Sequence, residues 1–511
     1  MTAISDYFRT ALLIDDRVEP DYRALEQLDV SRAGAPNGEP ESGLVAPPEE
    51  DETPVRPSSL VNAFLREDVV CSVVEPSAES SDIVGMAQRG ARIADLLILD
   101  WLLFGNASAT VAAIRQITEQ NQSRLRVIVV FTGAYSLSDV VERLVEEAGF
   151  EESHEFVLKS GNTVVLVFGK PGPPLTGGED RRQPSTYREL PGMIRDDLEA
   201  VFKGLMPEFA FRGINTLRES APRLLATFNS DLDPAALVHR ALLPEPADAG
   251  PQFVKLLASD FEQTMHAERV GEVWDQESVR THVEHTPTGG SPDQLAHRLK
   301  SNQDVPDDLK GLDDLRLCRE AIVHGLSKIG MADSAVSKAA GDLVNVVGGA
   351  KASHESLAVL MSSSSLGETP PRLELGVVLQ DGEGEYWLCI QPLCDSVRLD
   401  SSRAFPLLPV ALDPQEPAAM IRSSDGDAIR IGFNSSPHGL KVPEFSPTHR
   451  GAVVAQGDPS NWFFTSEDGL QYRAITRLRP EVAAQAVQGL ASAASRAGAD
   501  ASEWLRRGAP S

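Results

Sequence analysis

The chain has 511 residues and a formal net charge of −28, from 47 lysines and arginines against 75 aspartates and glutamates. This length predicts two or three domains, and the acidic balance disfavours nucleic-acid binding, which depends on cationic neutralisation of phosphates. No run of about 18 or more apolar residues indicates a membrane span, and no signal peptide is expected at the N-terminus. The cysteines are scattered, which favours reduced thiols in a cytoplasm over disulfides or a zinc site.

Residues 1–172 alternate short apolar runs with segments of helical periodicity. Near-continuous Val, Ile and Leu runs are typical of parallel strands that helices cover on both faces. The runs are 11–14, 69–74, 96–99, 127–131 and 164–168. We therefore predict an α/β doubly wound sheet built from β/α units.

Two segments depart from this alternation. Residues 34–57 are rich in proline, glycine and acidic residues, and we interpret them as a disordered or loosely held insertion after the first strand. Residues 156–159 (FVLK), followed by Ser-Gly-Asn, predict a hairpin that adds an edge strand beside the last parallel strand.

The remainder of the chain divides by composition and periodicity. Residues 171–184 are rich in proline and glycine and indicate a linker, and helical periodicity then dominates residues 187–360. After a second linker at 361–371, short alternating strands predict a β-rich domain over 372–480, with a small barrel as one arrangement. A C-terminal helix is expected within 481–511, which begins with an alanine-rich stretch.

Polar side chains follow the carboxyl ends of the predicted parallel strands, where open α/β sheets bind ligands. Asp15 and Asp16 follow the first strand, Asp100 the third, Thr132 the fourth and Lys170 the fifth. Carboxylates in one crevice repel one another unless a cation lies between them. Mg²⁺ is a hard divalent ion that prefers oxygen ligands, so the pattern predicts a magnesium site.

The same residue types predict phosphoryl transfer. An ionised Asp100 can attack phosphorus and form an aspartyl phosphate. Mg²⁺ and the Lys170 ammonium would neutralise charge on the transferring group, which supplies most of the catalysis in such reactions. The Thr132 hydroxyl would bond a phosphoryl oxygen, and its movement would report the modification to the surface.

Segments 12–16 (LLIDD), 96–106 (LLILDWLLFGN), 127–133 (VIVVFTG) and 168–171 (FGKP) together resemble the receiver domain of two-component response regulators. The resemblance covers the first third of the chain. It implies a flavodoxin-like fold and a partner histidine kinase as the phosphoryl donor.

The resemblance also implies roles for individual residues. Asp100 would accept the phosphoryl group, Thr132 would act as a switch, Lys170 would pair with the phosphate and Gly133 would leave space beside it. The implied Mg²⁺ ligands are the carboxylates of Asp15, Asp16 and Asp100 and the backbone carbonyl of Leu102. Lys159 competes for the lysine role, and Lys170 is preferred because it follows the stronger apolar strand and precedes a proline.

Residues 386–399 (YWLCIQPLCDSVRL) and 503–507 (EWLRR) resemble segments of atypical receiver proteins from bacterial conflict and anti-phage systems. Such chains accompany a histidine-kinase-type ATPase of the GHKL class. We therefore expect a cytoplasmic signalling protein that has protein partners and acts as a regulator or as a phosphate sink. We expect no DNA-binding output, no membrane segment and no enzymatic activity beyond its own phosphorylation.

Other interpretations stay open. A degenerate receiver could dock a partner without being phosphorylated. Cys394 and Asp395 could form an enzyme site in the β-rich domain, as opposed to a tight turn with a buried thiol. His282 and His285 have a spacing typical of metal ligands, but no third ligand is evident in the sequence, and a solvated helix face is the favoured interpretation. A haloacid-dehalogenase-type phosphatase is rejected, because no second acid lies two residues after Asp100.

Overall fold

The computed structural model describes residues 3–18, 57–76, 82–120, 124–133, 136–172, 175, 179, 181–244, 246–286, 291–332, 335–336, 339, 342–343, 346–347, 351–449 and 451–496. The chain divides into two compact units, Met1–His282 and Val283–Ser511. The described residues do not include positions 34–56 of the predicted acidic insertion or segment 503–507. Among the described helices, none is long and apolar enough to cross a membrane.

The first unit is built on a seven-stranded sheet with the order β2-β1-β3-β4-β7-β6-β5. The strands are β1 (Thr10–Ile14), β2 (Val70–Val74), β3 (Leu96–Asp100), β4 (Arg126–Thr132), β5 (Glu151–His154), β6 (Val157–Ser160) and β7 (Thr163–Gly169). Strands β1, β2, β3, β4 and β7 are parallel, and β6 and β5 add an antiparallel edge. The predicted doubly wound sheet and its edge hairpin are confirmed. Strand β5 was not predicted, because its four residues are all exposed and show no apolar alternation.

The strand register brings the carboxyl ends of the parallel strands to one edge of the sheet. Ile14 pairs with Leu99, Asp100 with Phe131, and Thr132 with Gly169. Residues that directly follow these strands therefore lie close together, although they are far apart in sequence.

Helices cover both faces of this sheet. They are α1 (Ala3–Tyr7), α2 (Pro57–Leu65), α3 (Ile83–Ile93), α4 (Ala107–Gln120), α5 (Leu137–Ala148) and α6 (Leu190–Val201). Residues of α3, α4 and α5 form the core on one face, and residues of α1, α2 and α6 form the core on the other. Side-chain caps set some of the helix starts. The Asp82 carboxylate accepts from the Gly85 N–H, and the Ser136 hydroxyl accepts from the Asp139 N–H.

Helix α6 follows the predicted linker in sequence but packs on the sheet. Leu190, Ile194 and Leu198 are almost fully buried in the same core as Leu13 and Phe131. The spacing of these three residues places them on one helix face. The packing of the first unit thus continues beyond the linker, while the predicted domain boundaries stay a prediction.

Further helices complete the described part of the first unit. They are α7 (Leu205–Thr227), α8 (Asp233–Leu242), α9 (Ala249–Ala267) and α10 (Gln276–His285), the last of which ends in the second unit. Phe211 of α7 joins the sheet core, with its ring centroid 5.0 Å from that of Tyr7 and 6.2 Å from that of Phe8.

The second unit combines helices with an antiparallel sheet. Its described helices are α11 (Asp293–Ser301), α12 (Asp307–Lys310), α13 (Asp314–His324), α14 (Lys351–Ser362) and α15 (Pro480–Arg496). Its strands are β8 (Ser363–Ser364), β9 (Val377–Gln380), β10 (Tyr386–Cys389), β11 (Arg403–Ala404), β12 (Leu407–Leu412), β13 (Ala419–Arg422), β14 (Ala428–Phe433), β15 (Glu444–Phe445), β16 (Gln456–Asp458), β17 (Asn461–Thr465) and β18 (Gln471–Leu478).

The large sheet of the second unit has the order β13-β14-β12-β10-β9-β18-β17-β16, and β8 also pairs with β18. A helical middle and a β-rich C-terminal part are both as predicted. Between the described strands, β13 and β16 at the two ends do not pair with each other, and β13 comes close to β18. The small barrel considered above therefore stays a prediction.

Candidate functional site

Three aspartates lie together at the carboxyl edge of the parallel sheet. Asp15 and Asp16 follow β1, and Asp100 ends β3. One carboxylate oxygen from each residue lies within 4.8 Å of the other two. Within the part of the chain that the structure describes, this is the one acidic, histidine or cysteine cluster that could hold a metal ion.

Lys170 follows β7 and reaches two of these carboxylates. Its Nζ lies 2.7 Å from Asp15 Oδ2 and 3.0 Å from Asp100 Oδ1. Its backbone N–H donates to the Thr132 carbonyl at 2.6 Å, and its carbonyl accepts from the Gln183 side chain at 2.7 Å. The main chain on both sides of Lys170 is therefore held, which aims the ammonium into the cluster.

Lys159, the competing candidate, lies elsewhere. It belongs to β6 and pairs with Val164, next to the first residue of β7, whereas Lys170 comes directly after the last. Lys159 therefore lies beside the amino end of β7, whereas Lys170 follows its carboxyl end. The structure brings Lys170, and not Lys159, to Asp100.

The cluster strongly perturbs its own ionisation. Burial raises the pKa of Asp100 from 3.8 to about 6, and the charges of Asp15 and Asp16 add to this against the opposing Lys170 ammonium. Burial alone would lower the pKa of Lys170, but attraction to Asp100 and Asp15 outweighs it and the pKa is raised. Because desolvation is only partly offset by ion pairing, the cluster favours the arrival of a further positive charge.

The donor set fits Mg²⁺. Three carboxylates and one ammonium carry a formal charge of −2, which a divalent cation balances. Asp16 Oδ1 is buried and makes no hydrogen bond to the described residues, whereas Asp16 Oδ2 accepts from the Phe104 N–H at 2.7 Å. A buried carboxylate oxygen without a partner is costly unless a cation binds it, so Asp15, Asp16 and Asp100 suit a hard oxygen-seeking ion.

The segment after β3, which includes the first turn of α4, contacts two of the aspartates. Phe104 has a left-handed φ of 53°, which is unusual for a bulky residue, and its N–H is the donor to Asp16. The Thr110 hydroxyl donates to the Asp100 carbonyl at 3.0 Å. Leu102, the implied carbonyl ligand, lies in this loop and accepts from the Gly105 N–H at 2.9 Å, which leaves its second lone pair available. The sequence analysis did not identify Phe104 or Thr110. Each contact involves a main-chain group, and such contacts cannot be recognised from residue types.

Thr132 and Gly133 lie where β4 ends. Thr132 is fully buried and pairs with Gly169. Gly133 is exposed, and a Cβ built on it would meet no atom of the described residues within 4 Å. The described part of the chain therefore leaves room beside Gly133, which is compatible with the implied role.

Glu179, in the predicted linker, makes contacts that composition did not reveal. Its buried carboxylate accepts from the Leu137 N–H, from the Ser138 N–H at 3.1 Å and from the Ser138 hydroxyl at 2.6 Å. These groups open α5, whose N-terminus favours negative charge. The segment after Lys170 is thus tied to the helix after Thr132.

The remaining candidate residues do not extend the site. Leu393–Asp395 form a one-turn 3-10 helix, as the tight-turn interpretation predicted, but the Cys394 thiol is exposed and not buried. His282 and His285 lie on α10, and neither belongs to the metal-compatible cluster. Trp101 is buried in the core that α3, α4 and α5 form on one face of the sheet.

A family model described as a response receiver domain matches residues 7–173, about a third of the chain. No curated protein and no solved structure matches the chain. The matched residues contain the parallel sheet, the aspartate cluster and Lys170. The N-terminal part of the protein is therefore a receiver domain, which supports a role in phosphorylation-type signalling.

Proposed function

We propose that this protein is a signalling protein in which Asp100 accepts a phosphoryl group from a partner histidine kinase, of the GHKL ATPase class. The observation that carries the proposal is the Lys170 ammonium, which contacts both Asp15 and Asp100 in the aspartate cluster, with Thr132 at the end of the neighbouring strand. A carboxylate, an ammonium and a residue with a hydroxyl thus come from neighbouring strand ends, which supports the proposal.

The proposed reaction is a direct displacement on phosphorus. A carboxylate oxygen of Asp100 forms a bond to phosphorus, the phosphorus–nitrogen bond of a phosphohistidine donor breaks, and the electron pair leaves with the imidazole. Lys170 offsets negative charge on the phosphoryl oxygens. The Asp100 side chain is only 6% exposed, so the site must open before the carboxylate reaches the donor.

Mg²⁺, held by Asp15, Asp16 and Asp100 with the Leu102 carbonyl, would supply further charge neutralisation at the phosphoryl group. The Thr132 hydroxyl would bond a phosphoryl oxygen after transfer. Glu179 connects the segment after Lys170 with the helix after Thr132, which offers a route from the site to the surface.

The output is proposed to act through protein contacts in the cytoplasm. The net charge of −28 supports a non-DNA-binding output, because an acidic surface repels phosphate backbones. Service as a regulator or phosphate sink in anti-phage defence rests on the resemblance of residues 386–399 and 503–507 alone. The proposal assigns no catalysis to the chain beyond its own phosphorylation.

The test is intact-mass analysis of the full chain with Mg²⁺ and acetyl phosphate, and with a cognate kinase and ATP. Wild type should gain the mass of one phosphoryl group, and Asp100→Asn should gain none. Asp196→Asn is the matched control, because that side chain is 74% exposed on α6, and it should be modified like wild type. No adduct on wild type with the kinase present would refute phosphorylation.

The near-complete burial of Asp100 favours one alternative, a receiver that docks a partner without being phosphorylated. In that case Asp100→Ala would keep partner binding and cellular function unchanged. If Asp100→Ala loses both its function and the phosphoryl adduct that wild type gains, the phosphorylated receiver is favoured over the docking-only receiver.

A further inference from the structure

The second unit contains a cavity of about 700 Å³ between α14 and the large sheet. This volume lies within the range of small-molecule sites, about 300–1,000 Å³. The lining includes three arginines, seven serines and a threonine, but no aspartate or glutamate among the described residues. In a chain with 75 acidic residues, a cavity lined by cations and hydroxyls without an acid is a distinct electrostatic environment.

The arginines are Arg422, Arg473 and Arg479, and their partners are neutral. Their hydrogen-bond acceptors are the carbonyls of Gly426, Ser460 and Leu360 and the hydroxyl of Ser356, at 3.0 to 3.4 Å. Over the described ranges, none of the three forms an ion pair with a carboxylate. Neutral acceptors orient a guanidinium without cancelling its charge, so three positive charges converge on the cavity.

A gap in the sheet adds main-chain groups to the same cavity. On one side of β18, Arg473 pairs with Phe463 of β17 and Arg477 pairs with Ser364 of β8. Residues 474–476 lie between these two short strands, line the cavity and pair with no described strand on that side. Backbone polar groups at such a gap need partners, which a polar ligand can supply.

The cavity also has an apolar wall. Trp462, Ile475 and Leu366 contribute to the lining. The Trp462 ring is held in place because its indole N–H donates to the Gly367 carbonyl at 3.3 Å. A ligand that fits all of these groups has an apolar or aromatic part as well as an anionic part.

We propose that this cavity binds a phosphorylated small molecule of nucleotide size. The phosphate groups lie among Arg422, Arg473 and Arg479, and the apolar part lies against Trp462. Guanidinium groups bind phosphate oxygens in pairs through planar, charge-assisted hydrogen bonds. A single carboxylate would balance only one of the three charges, whereas a diphosphate offers several oxygens and more than one negative charge. This site is separate from the receiver chemistry and does not depend on it.

The experiment is calorimetric titration of the full chain with pyrophosphate, adenosine diphosphate and adenosine. EDTA is present throughout, so that the receiver site holds no Mg²⁺ and contributes no metal-dependent phosphate binding. Pyrophosphate and the diphosphate should bind, and uncharged adenosine should not. Arg422→Gln and Arg473→Gln should each weaken binding by about tenfold or more, the effect of losing a charged hydrogen bond.

Arg430→Gln is the matched control. Arg430 lies on β14 of the same sheet but outside the cavity, and it pairs with the exposed Asp413. The control removes one positive charge and should bind like wild type. Circular dichroism and thermal unfolding establish that each variant is folded.

The proposal is wrong if neither pyrophosphate nor adenosine diphosphate binds wild type at millimolar concentration. It is also wrong if folded Arg422→Gln and Arg473→Gln bind as tightly as wild type, or if adenosine binds as well as its diphosphate. Loss of binding in the two variants, with Arg430→Gln unaffected, would support it.

Discussion

Asp100→Asn tests the electrostatics of the aspartate cluster. Burial, opposed by Lys170, raises the pKa of Asp100 from 3.8 to about 6. Between these pH values the folded, metal-free protein keeps a proton on this carboxyl that the unfolded chain has released. The contribution of Asp100 to the free energy of unfolding therefore falls as the pH rises from about 4 through about 6.

The magnitude follows from the size of this shift. One pKa unit corresponds to about 1.4 kcal/mol, so ionised Asp100 destabilises the metal-free receiver by about 3 kcal/mol at neutral pH. Asparagine has nearly the same shape but no charge, and it still buries a polar amide. We expect Asp100→Asn to recover about 1 to 3 kcal/mol, or about 3 to 10 °C in the unfolding temperature of a domain of this size.

The assay is differential scanning calorimetry of both proteins in EDTA, at neutral pH and at about pH 4. The gain should appear at neutral pH and shrink at the lower pH, where wild-type Asp100 is itself protonated. Asp196→Asn, on the exposed surface of α6, should stay within about 0.5 kcal/mol of wild type. An Asp100→Asn variant no more stable than wild type at neutral pH would refute this account of the buried charge.

Two further substitutions probe the groups around the site. Lys170→Met removes the ammonium that contacts Asp15 and Asp100, so the metal-free protein should lose about 3 kcal/mol, and Mg²⁺ should restore part of it in a calorimetric scan. Equal stability of wild type and Lys170→Met in EDTA would contradict this. Glu179→Gln weakens the acceptor for the first N–H groups of α5 and should lower stability by about 1 to 2 kcal/mol, with faster amide hydrogen exchange at Leu137 and Ser138. Unchanged exchange there would show that the contact is not maintained in solution.

The sequence predicted the parallel sheet because its strands are near-continuous apolar runs, which can be recognised without knowledge of the fold. It also predicted the aspartates, Thr132 and Lys170 as one group, because residues that follow parallel strands meet at one edge. Strand β5 was missed because four exposed polar residues carry no apolar period. The sequence preferred Lys170 over Lys159, and the sheet register and the contact with Asp100 agree with that preference.

What the sequence by itself determined is local: strand identity, strand ends and the chemistry of the side chains placed there. Only the tertiary structure decided the contacts between distant segments. Glu179 reaches the start of α5 across a segment whose composition indicated only a linker, and α6 packs on the sheet beyond it. Arg422, Arg473 and Arg479 have no regular spacing, and they share a cavity because the sheet brings β13 close to β18. Periodicity records which face of an element is buried, but it does not record which elements meet.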